Sequence, residues 1–313
     1  MFIIVPRRNL ANKEECRMNY YGKKSNGLLN WLDLKSRKYR ALYWAMFAFL
    51  FFLTLVCIVP VVWSSLSGFK TVDEMYAVPQ KFFPQKIEIS KAVEAWNAVK
   101  MHKGLINTFI IIIGVIFFDI GVNGLTGFVL SKIKPRGSKF VDKLIFWSMM
   151  LPGMSMVPVY MTYVDFTPLH LNLLGTFWPL WLGAGANAFH VFLFRNAINA
   201  IPTSYFEAAK LDGCSNLGAF IRIILPLVKP TVMVLMIFTV MGQWGSYLWP
   251  MLVMPEAETV GVKLYKMTQG GAYALTMDSR LLVLTMSMLV PLCIFALFSK
   301  QIMGGLDMSG VKG

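Results

Sequence analysis

Charge is scarce in this chain, and the residues that usually build catalytic or metal centres are scarcer still. Only 15% of the 313 residues are charged and three are histidine. His102, His170 and His190 lie far apart, and no HExxH or GxSxG run occurs, so no hydrolase motif is present. Cys16, Cys57, Cys214 and Cys293 stand singly without a CxxC pair, which implies neither a disulfide framework nor a metal site. No GxxxxGK[ST] phosphate loop exists either: Gly22-Lys23-Lys24-Ser25 lacks the upstream glycine and any strand context. Leu66-Ser67-Gly68 is too short to count as a nucleotide-binding signature. The expectation is a chain without catalytic residues, bound metal or bound cofactor, and not an enzyme.

Apolar residues, by contrast, make up 56% of the chain, and the mean hydropathy is +0.57. Soluble domains sit near 45–50% apolar and about 25% charged. A bilayer core takes roughly 20 apolar residues per helix. Six such stretches are present, at about 42–63, 105–130, 144–164, 174–194, 232–253 and 281–299. They are continuous, whereas a transmembrane barrel needs alternating segments of about ten residues. The fold class predicted is therefore all-α, a polytopic membrane protein with six transmembrane helices. Residues 1–40 read as a basic tail that ends, over 27–40, in either a short interfacial helix or a simple basic anchor before the first span. Residues 41–300 form the transmembrane domain, and 301–313 a short tail.

The net charge of +14 is distributed in a way that argues against nucleic acid. Residues 1–40 hold ten Lys/Arg against three acids, 131–143 five against Asp142 alone, and 195–229 four against two. The intervening segments 64–104, 164–173 and 254–280 are close to neutral. Positively charged loops stay on the cytoplasmic side. Both termini and the 195–229 loop are accordingly expected in the cytoplasm of a multi-pass protein of the cell membrane. The run Phe2 to Val5 is too short for a cleavable signal and is followed by Pro6, Arg7 and Arg8.

Polar residues inside apolar spans are costly and therefore informative. Asp119 lies in the second span, with Asn123 four residues on and on the same helix face. It reads either as a residue of the solute path or as a structural partner of Asn123. Gly121, Gly124 and Gly127 in that span allow close helix approach. Pro152 and Pro158 should bend or break the third span. The fifth ends in GQWGSYLWPML, where Gln243, Trp244 and Tyr247 are further candidates for the solute path. Trp249 beside Pro250 suits an aromatic belt better.

The segment Ile201 to Pro230 is the most legible part of the chain. It holds Glu207, Lys210, Asp212, Arg222 and Lys229 between two apolar spans. Pro202 ends the preceding helix, and Ser204 with Glu207 has the spacing of a capping box. Asp212-Gly213 signals a turn, and a second helix is expected from Asn216 to just before Pro226. Glu207-Ala208-Ala209, Gly213 three residues after Lys210, and Leu225-Pro226 together resemble the EAA loop of permease subunits in bacterial ATP-binding-cassette importers. FLFRNAINAIPTSYFEAAKLDG, the Pro152, Pro158, Tyr160 pattern and the ending FSKQIMGGLDMSGVKG are similar to the carbohydrate-uptake branch, related to maltose and lactose importers. One departure is Gly245 after Trp244, where the family often has Asn.

The resemblance implies the type I importer permease fold, half of a heterodimeric pore that admits a sugar, most naturally an oligosaccharide. Its implied partners are a second homologous permease subunit, two cytoplasmic ATPase subunits that use ATP and Mg, an extracytoplasmic sugar-binding protein and membrane lipid. It assigns Glu207, Ala208, Ala209, Asp212, Gly213, Leu225 and Pro226 to coupling with the ATPases. The glycine-rich end, Gly304 to Gly313, would order against that ATPase pair. The alternatives are a permease for a peptide or polyol, or a secondary transporter. The latter would need internal repeats and coupling-ion residues, for which only Asp119 stands as a candidate.

Overall fold

A computed structural model describes residues 37–79, 81–150, 156–166, 170–269, 273 and 275–307. Among these residues the chain is helical, and the one β feature is an isolated bridge between Phe166 and Leu171. The chain divides into two units, Met1–Trp63 and Ser64–Gly313. The first part of the segment 27–40, expected as an interfacial helix or a basic anchor, lies outside the described residues. From Arg37 the chain is already in α1 (Arg37–Gly68).

The 32 residues of α1 span about 48 Å at the usual helical rise. From Leu42 to Val62 every side chain on it is exposed. A helix apolar on all faces is stable only in lipid or among other apolar helices, so the composition of α1 already assigns it to the membrane.

The second unit is built around α4 (Met101–Ile133), which is preceded by the short α2 (Val72–Tyr76) and α3 (Ile89–Ala98). After α4 come α5 (Ser138–Ser148), α6 (Met156–Val164), α7 (Trp178–Ala184) and α8 (Ala188–Asn199). Two further helices, α9 (Thr203–Leu211) and α10 (Asn216–Leu227), precede α11 (Lys229–Gly245) and α12 (Leu248–Val253). Last are α13 (Val260–Gln269) and α14 (Met277–Asp307). Helix α4 packs against α7, α8, α11 and α13, and α11 packs in turn against α14.

Among the described residues, three helices are long and apolar enough to cross a bilayer unbroken: Arg37–Gly68, Met101–Ile133 and Met277–Ser299. The other three expected spans are each divided into shorter helices, and for the third a bend or break was expected. The third is split between α5 and α6. Pro152 lies outside the described residues there. Pro158 sits in the first turn of α6, where its missing N–H has no intrahelical role. The fourth is interrupted at Gly185–Asn187 and the fifth at Ser246–Tyr247. Broken backbone is tolerated at membrane depth only where other groups satisfy it, and at the fourth span a polar centre does so.

Of the three spaced glycines, Gly127 carries the close approach. A Cβ there would lie 2.9 Å from Phe194 Cβ and 3.0 Å from the Arg195 amide nitrogen. Gly121, in contrast, faces nothing within 4 Å. The glycine-rich end is helical through Asp307, and residues 308–313 lie outside the described residues.

Between α12 and α13, Glu258 gathers Lys263 Nζ at 2.8 Å, Lys266 Nζ at 2.6 Å and the Tyr273 hydroxyl at 2.9 Å. Lys263 also donates to Val99 O, and Asn107 Nδ2 donates to Glu258 O, both at 3.0 Å. Burial alone would push the Glu258 carboxyl up, but the two ammonium groups and the phenol outweigh it and hold its pKa at about 2. A carboxylate depressed in the folded state contributes stability that is complete above its ordinary pKa of 4.5 and lost as pH falls through the folded value. Thermal melting of the detergent-solubilised chain should therefore weaken between pH 4.5 and about 2, and Glu258→Gln should flatten that part of the profile. An unchanged profile would mean that the cluster does not anchor α13.

Candidate coupling surface and buried polar centre

The two short helices α9 and α10 are seated by their inner faces. Phe206 and Ala209 on α9, and Ala219, Phe220 and Ile224 on α10, are buried in one cluster with Phe128, Phe194 and Ile198. The Phe128 ring meets Phe206 at 5.4 Å and Phe220 at 5.5 Å. Gly213, with φ +75°, supplies the left-handed turn between the helices, a conformation that costs other residues about 1–2 kcal/mol. Its amide donates to Lys210 O at 3.0 Å, and the Cys214 amide donates to Ala209 O at 2.9 Å. Ser215 then caps α10 by accepting from the Gly218 amide at 3.1 Å. Lys132 Nζ donates to Ile201 O and ties the start of the segment to the end of α4.

The outer face is different. Tyr205, Leu217 and Ile221 are about half exposed, and Leu211 is 89% exposed. Glu207, Ala208, Asp212, Gly213 and Pro226 are exposed beside them, while Ala209 is buried and Leu225 half-buried. Charged residues interleaved with exposed apolar ones, on helices fixed from behind, form a surface suited to a protein partner.

Two details of the sequence reading are corrected. The capping box is not formed: Pro202 occupies the N-cap position with ψ 140° and Thr203 is already helical, with no side-chain cap. Ser204 is thus inside the helix, and Glu207 is free to face outward. The second helix also does not stop before Pro226 but continues to Leu227, because Pro226 follows a π-helical turn (Phe220–Ile224) and opens a new helical turn. The chain then bends by 83° into α11.

Asp119 sits at the first residue of a π-helical stretch of α4, Asp119–Gly124, and is 2% exposed. Its carboxylate accepts from His190 Nδ1 at 2.8 Å, from Asn123 Nδ2 at 2.7 Å and from the Thr239 hydroxyl at 3.0 Å. Asn123 also donates to Ala184 O at 2.8 Å, and its Oδ1 accepts from the Asn187 amide at 3.2 Å. Asn187 in turn caps α8 by accepting from the His190 amide at 3.2 Å. The π turn thus carries the two side chains that repair the break in the fourth span and join α4, α8 and α11. His190 and Thr239 were missed in the sequence. His190 lies inside the expected fourth span, so the rule that singled out Asp119 would have found it.

The aromatic candidates fall elsewhere. Trp244 is buried, with its ring 6.2 Å from Phe109, and packs with Val99, Met101 and Val260. Tyr247 is 39% exposed and stacks on Tyr265 at 4.3 Å, and Gln243 is half-buried. None of the three joins the Asp119 centre. Trp249 packs against Tyr163 at 6.1 Å.

An all-helical chain with long apolar helices, a polar centre inside them and an exposed helix pair fixed on their ends defines a membrane permease. Residues 123–304 match the family described as the inner membrane component of binding-protein-dependent transport systems. The chain belongs to that family; it is a transporter subunit of the inner membrane and not an enzyme.

Among its relatives is the polygalacturonan/rhamnogalacturonan transport system permease protein YtcP of Bacillus subtilis (strain 168). It is 26% identical over 213 residues, covering 68% of this chain and 72% of that protein. The arabinooligosaccharides transport system permease protein AraQ of Halalkalibacterium halodurans is 22% identical over 284 residues, 90% of this chain and all of that protein. Among solved structures, a bacterial ABC transporter that imports the acidic polysaccharide alginate superposes with a TM-score of 0.73. It is 19% identical and covers 85% of this chain and 98% of that one. That likeness shows the fold, the ATP-binding-cassette importer permease fold.

Proposed function

We propose that this chain forms one half of the translocation pathway of an ATP-driven oligosaccharide importer. The exposed outer face of α9 and α10 is the observation that carries the reading. Glu207, Ala208, Asp212, Gly213 and Pro226 form the docking surface for an ATPase, and Ala209 and Leu225 hold its inner side. Rigid seating on the Phe128–Phe206–Phe220 cluster lets movement of the docked ATPase reach α4 and α11 without loss in a soft loop. ATP and Mg are used by two separate cytoplasmic subunits. A second homologous permease completes the pathway, and an extracytoplasmic binding protein delivers the sugar. The relatives named for transport of polygalacturonan/rhamnogalacturonan and of arabinooligosaccharides support the substrate class.

Both termini and the 195–229 segment face the cytoplasm in this reading, because positive charge concentrates there. In a chain freed of its own cysteines, Ser90→Cys and Thr268→Cys should label with a membrane-impermeant thiol reagent applied to intact cells. Arg136→Cys and Leu217→Cys should label only after the cells are opened. All four side chains have accessible positions, with Ser90, Thr268, Arg136 and Leu217 exposed. The opposite pattern would place α9 and α10 where no ATPase can reach them.

A further inference from the structure

Helix α4 ends at Ile133, and Lys134 with φ 49° turns the chain into Pro135-Arg136-Gly137 before α5 starts at Ser138. This turn gathers Lys134, Arg136 and Lys139 around a cavity of about 500 Å³ whose wall includes Asp142 and Arg195. Asp142 is already paired with Arg195, so it does not offset the other cations. Among the described residues none of Lys134, Arg136 and Lys139 pairs with a carboxylate, and all three are exposed. Arg195 Nε is buried without a hydrogen-bond acceptor. Like charges held together around a concavity repel one another, and an anion in the cavity would relieve that repulsion.

The surroundings narrow the kind of anion. On one side of α5 the cavity runs into an apolar groove of about 390 Å³, lined by Leu125, Val129, Leu130, Phe140 and Val141 and sharing Arg136 and Gly137 with it. On the other side, past Asp142 and Arg195, lies a groove of about 250 Å³ walled by Phe146, Trp147, Met149, Val191 and Phe192. Phe140, Phe146 and Trp147 are each about 60% exposed. A free phosphate or a sugar phosphate would fill the basic cavity and leave both grooves bare. A phospholipid would fill all three, its headgroup among the cations and its acyl chains on either side of α5. Choline headgroups carry a compensating positive charge of their own, so the cavity favours a headgroup with net negative charge.

We propose that the α4–α5 turn and α8 form a binding site for an anionic phospholipid of the phosphatidylglycerol type, at the membrane face where α4 ends. Basic pockets between membrane helices hold such headgroups by charge. The site does not depend on the transported solute and stands whether or not the importer reading holds. It adjoins the coupling segment through Arg195 on α8 and the Lys132 bond to Ile201, so its occupant also bears on how firmly that segment is anchored.

The test is native mass spectrometry of the full chain in mild detergent, offered equal amounts of phosphatidylglycerol and phosphatidylcholine with identical acyl chains. Each cation near such a headgroup contributes about fivefold in affinity. Phosphatidylglycerol should therefore be retained at least roughly tenfold better. Lys134→Gln/Arg136→Gln/Lys139→Gln should abolish that preference. Lys81→Gln/Lys86→Gln/Lys103→Gln removes the same charge from three exposed residues elsewhere and should keep it. Should the triple variant fold poorly, Arg136→Gln and Lys139→Gln singly should each lower the preference several-fold. Inorganic phosphate at millimolar concentration should not displace the lipid. Equal loss in both triple variants, displacement by phosphate, or loss of selectivity on deletion of residues 1–26 would overturn the proposal.

Discussion

Asp119→Leu should be among the most destabilising single substitutions in this protein. It removes the common acceptor of His190, Asn123 and Thr239, leaving the buried His190 and Thr239 donors without that partner and Asn123 Nδ2 with only its bond to Ala184 O. Breaking one side of a buried charged pair in soluble proteins costs roughly 3–5 kcal/mol. Hydrogen bonds between membrane helices are weaker individually, averaging about 0.6 kcal/mol, because the chain unfolded in lipid finds substitute partners. Three bonds on one carboxylate plus the break at Gly185–Asn187 that depends on Asn123 place the cost at about 2–5 kcal/mol. Asp119→Asn keeps the shape and one acceptor oxygen, and should cost about 1–2 kcal/mol. The order is checked by thermal unfolding in detergent. A double-mutant cycle of Asp119→Asn with His190→Gln should return a coupling energy above about 0.5 kcal/mol. If Asp119→Leu is as stable as the parent, the carboxylate is not a structural joint, and a role along the solute path becomes its remaining reason to be there.

The second large effect concerns coupling rather than stability. Glu207 is exposed and caps nothing, so Glu207→Lys should change stability by no more than about 0.5 kcal/mol. On a docking surface the same charge reversal should cost roughly 2–5 kcal/mol of partner binding. Membrane insertion and yield should thus be normal while ATP-driven uptake falls at least tenfold, a change of about 1.4 kcal/mol or more in coupling. Gly213→Asp should act similarly by straining the turn, since a Cβ there meets nothing within 4 Å and only the backbone conformation penalises it. Normal uptake by well-inserted Glu207→Lys protein would remove α9 from the docking surface.

The parts of this architecture that were legible from sequence are those fixed by local pattern. Apolar runs identified α1, α4 and α14 because each carries an unbroken helix whose apolar stretch is long enough to cross a bilayer. The Asp212-Gly213 turn was legible because a positive φ recruits glycine. Where the reading failed, the deciding partner was either adjacent but weighed wrongly or far away. Pro202 displaces the cap from Ser204 by starting the helix two residues earlier. The break at Gly185–Asn187 has no proline to announce it. It persists because Asn123, more than 60 residues upstream, satisfies its free carbonyl and amide. Asp119 drew attention through the cost of burying a carboxylate, yet its partners lie 71 and 120 residues away. Trp244 shows the converse: it stood as a candidate for the solute path, and tertiary packing places it in the core with Val99, Met101 and Val260.

The most direct measurement is solute uptake into proteoliposomes that contain this permease with its partner permease, ATPase pair and sugar-binding protein. An oligosaccharide should accumulate only when ATP and Mg are enclosed on the side of α9 and α10, and Glu207→Lys should abolish accumulation. Accumulation driven by a proton or sodium gradient without ATP, and indifferent to Glu207→Lys, would contradict the ATP-coupled reading of this chain.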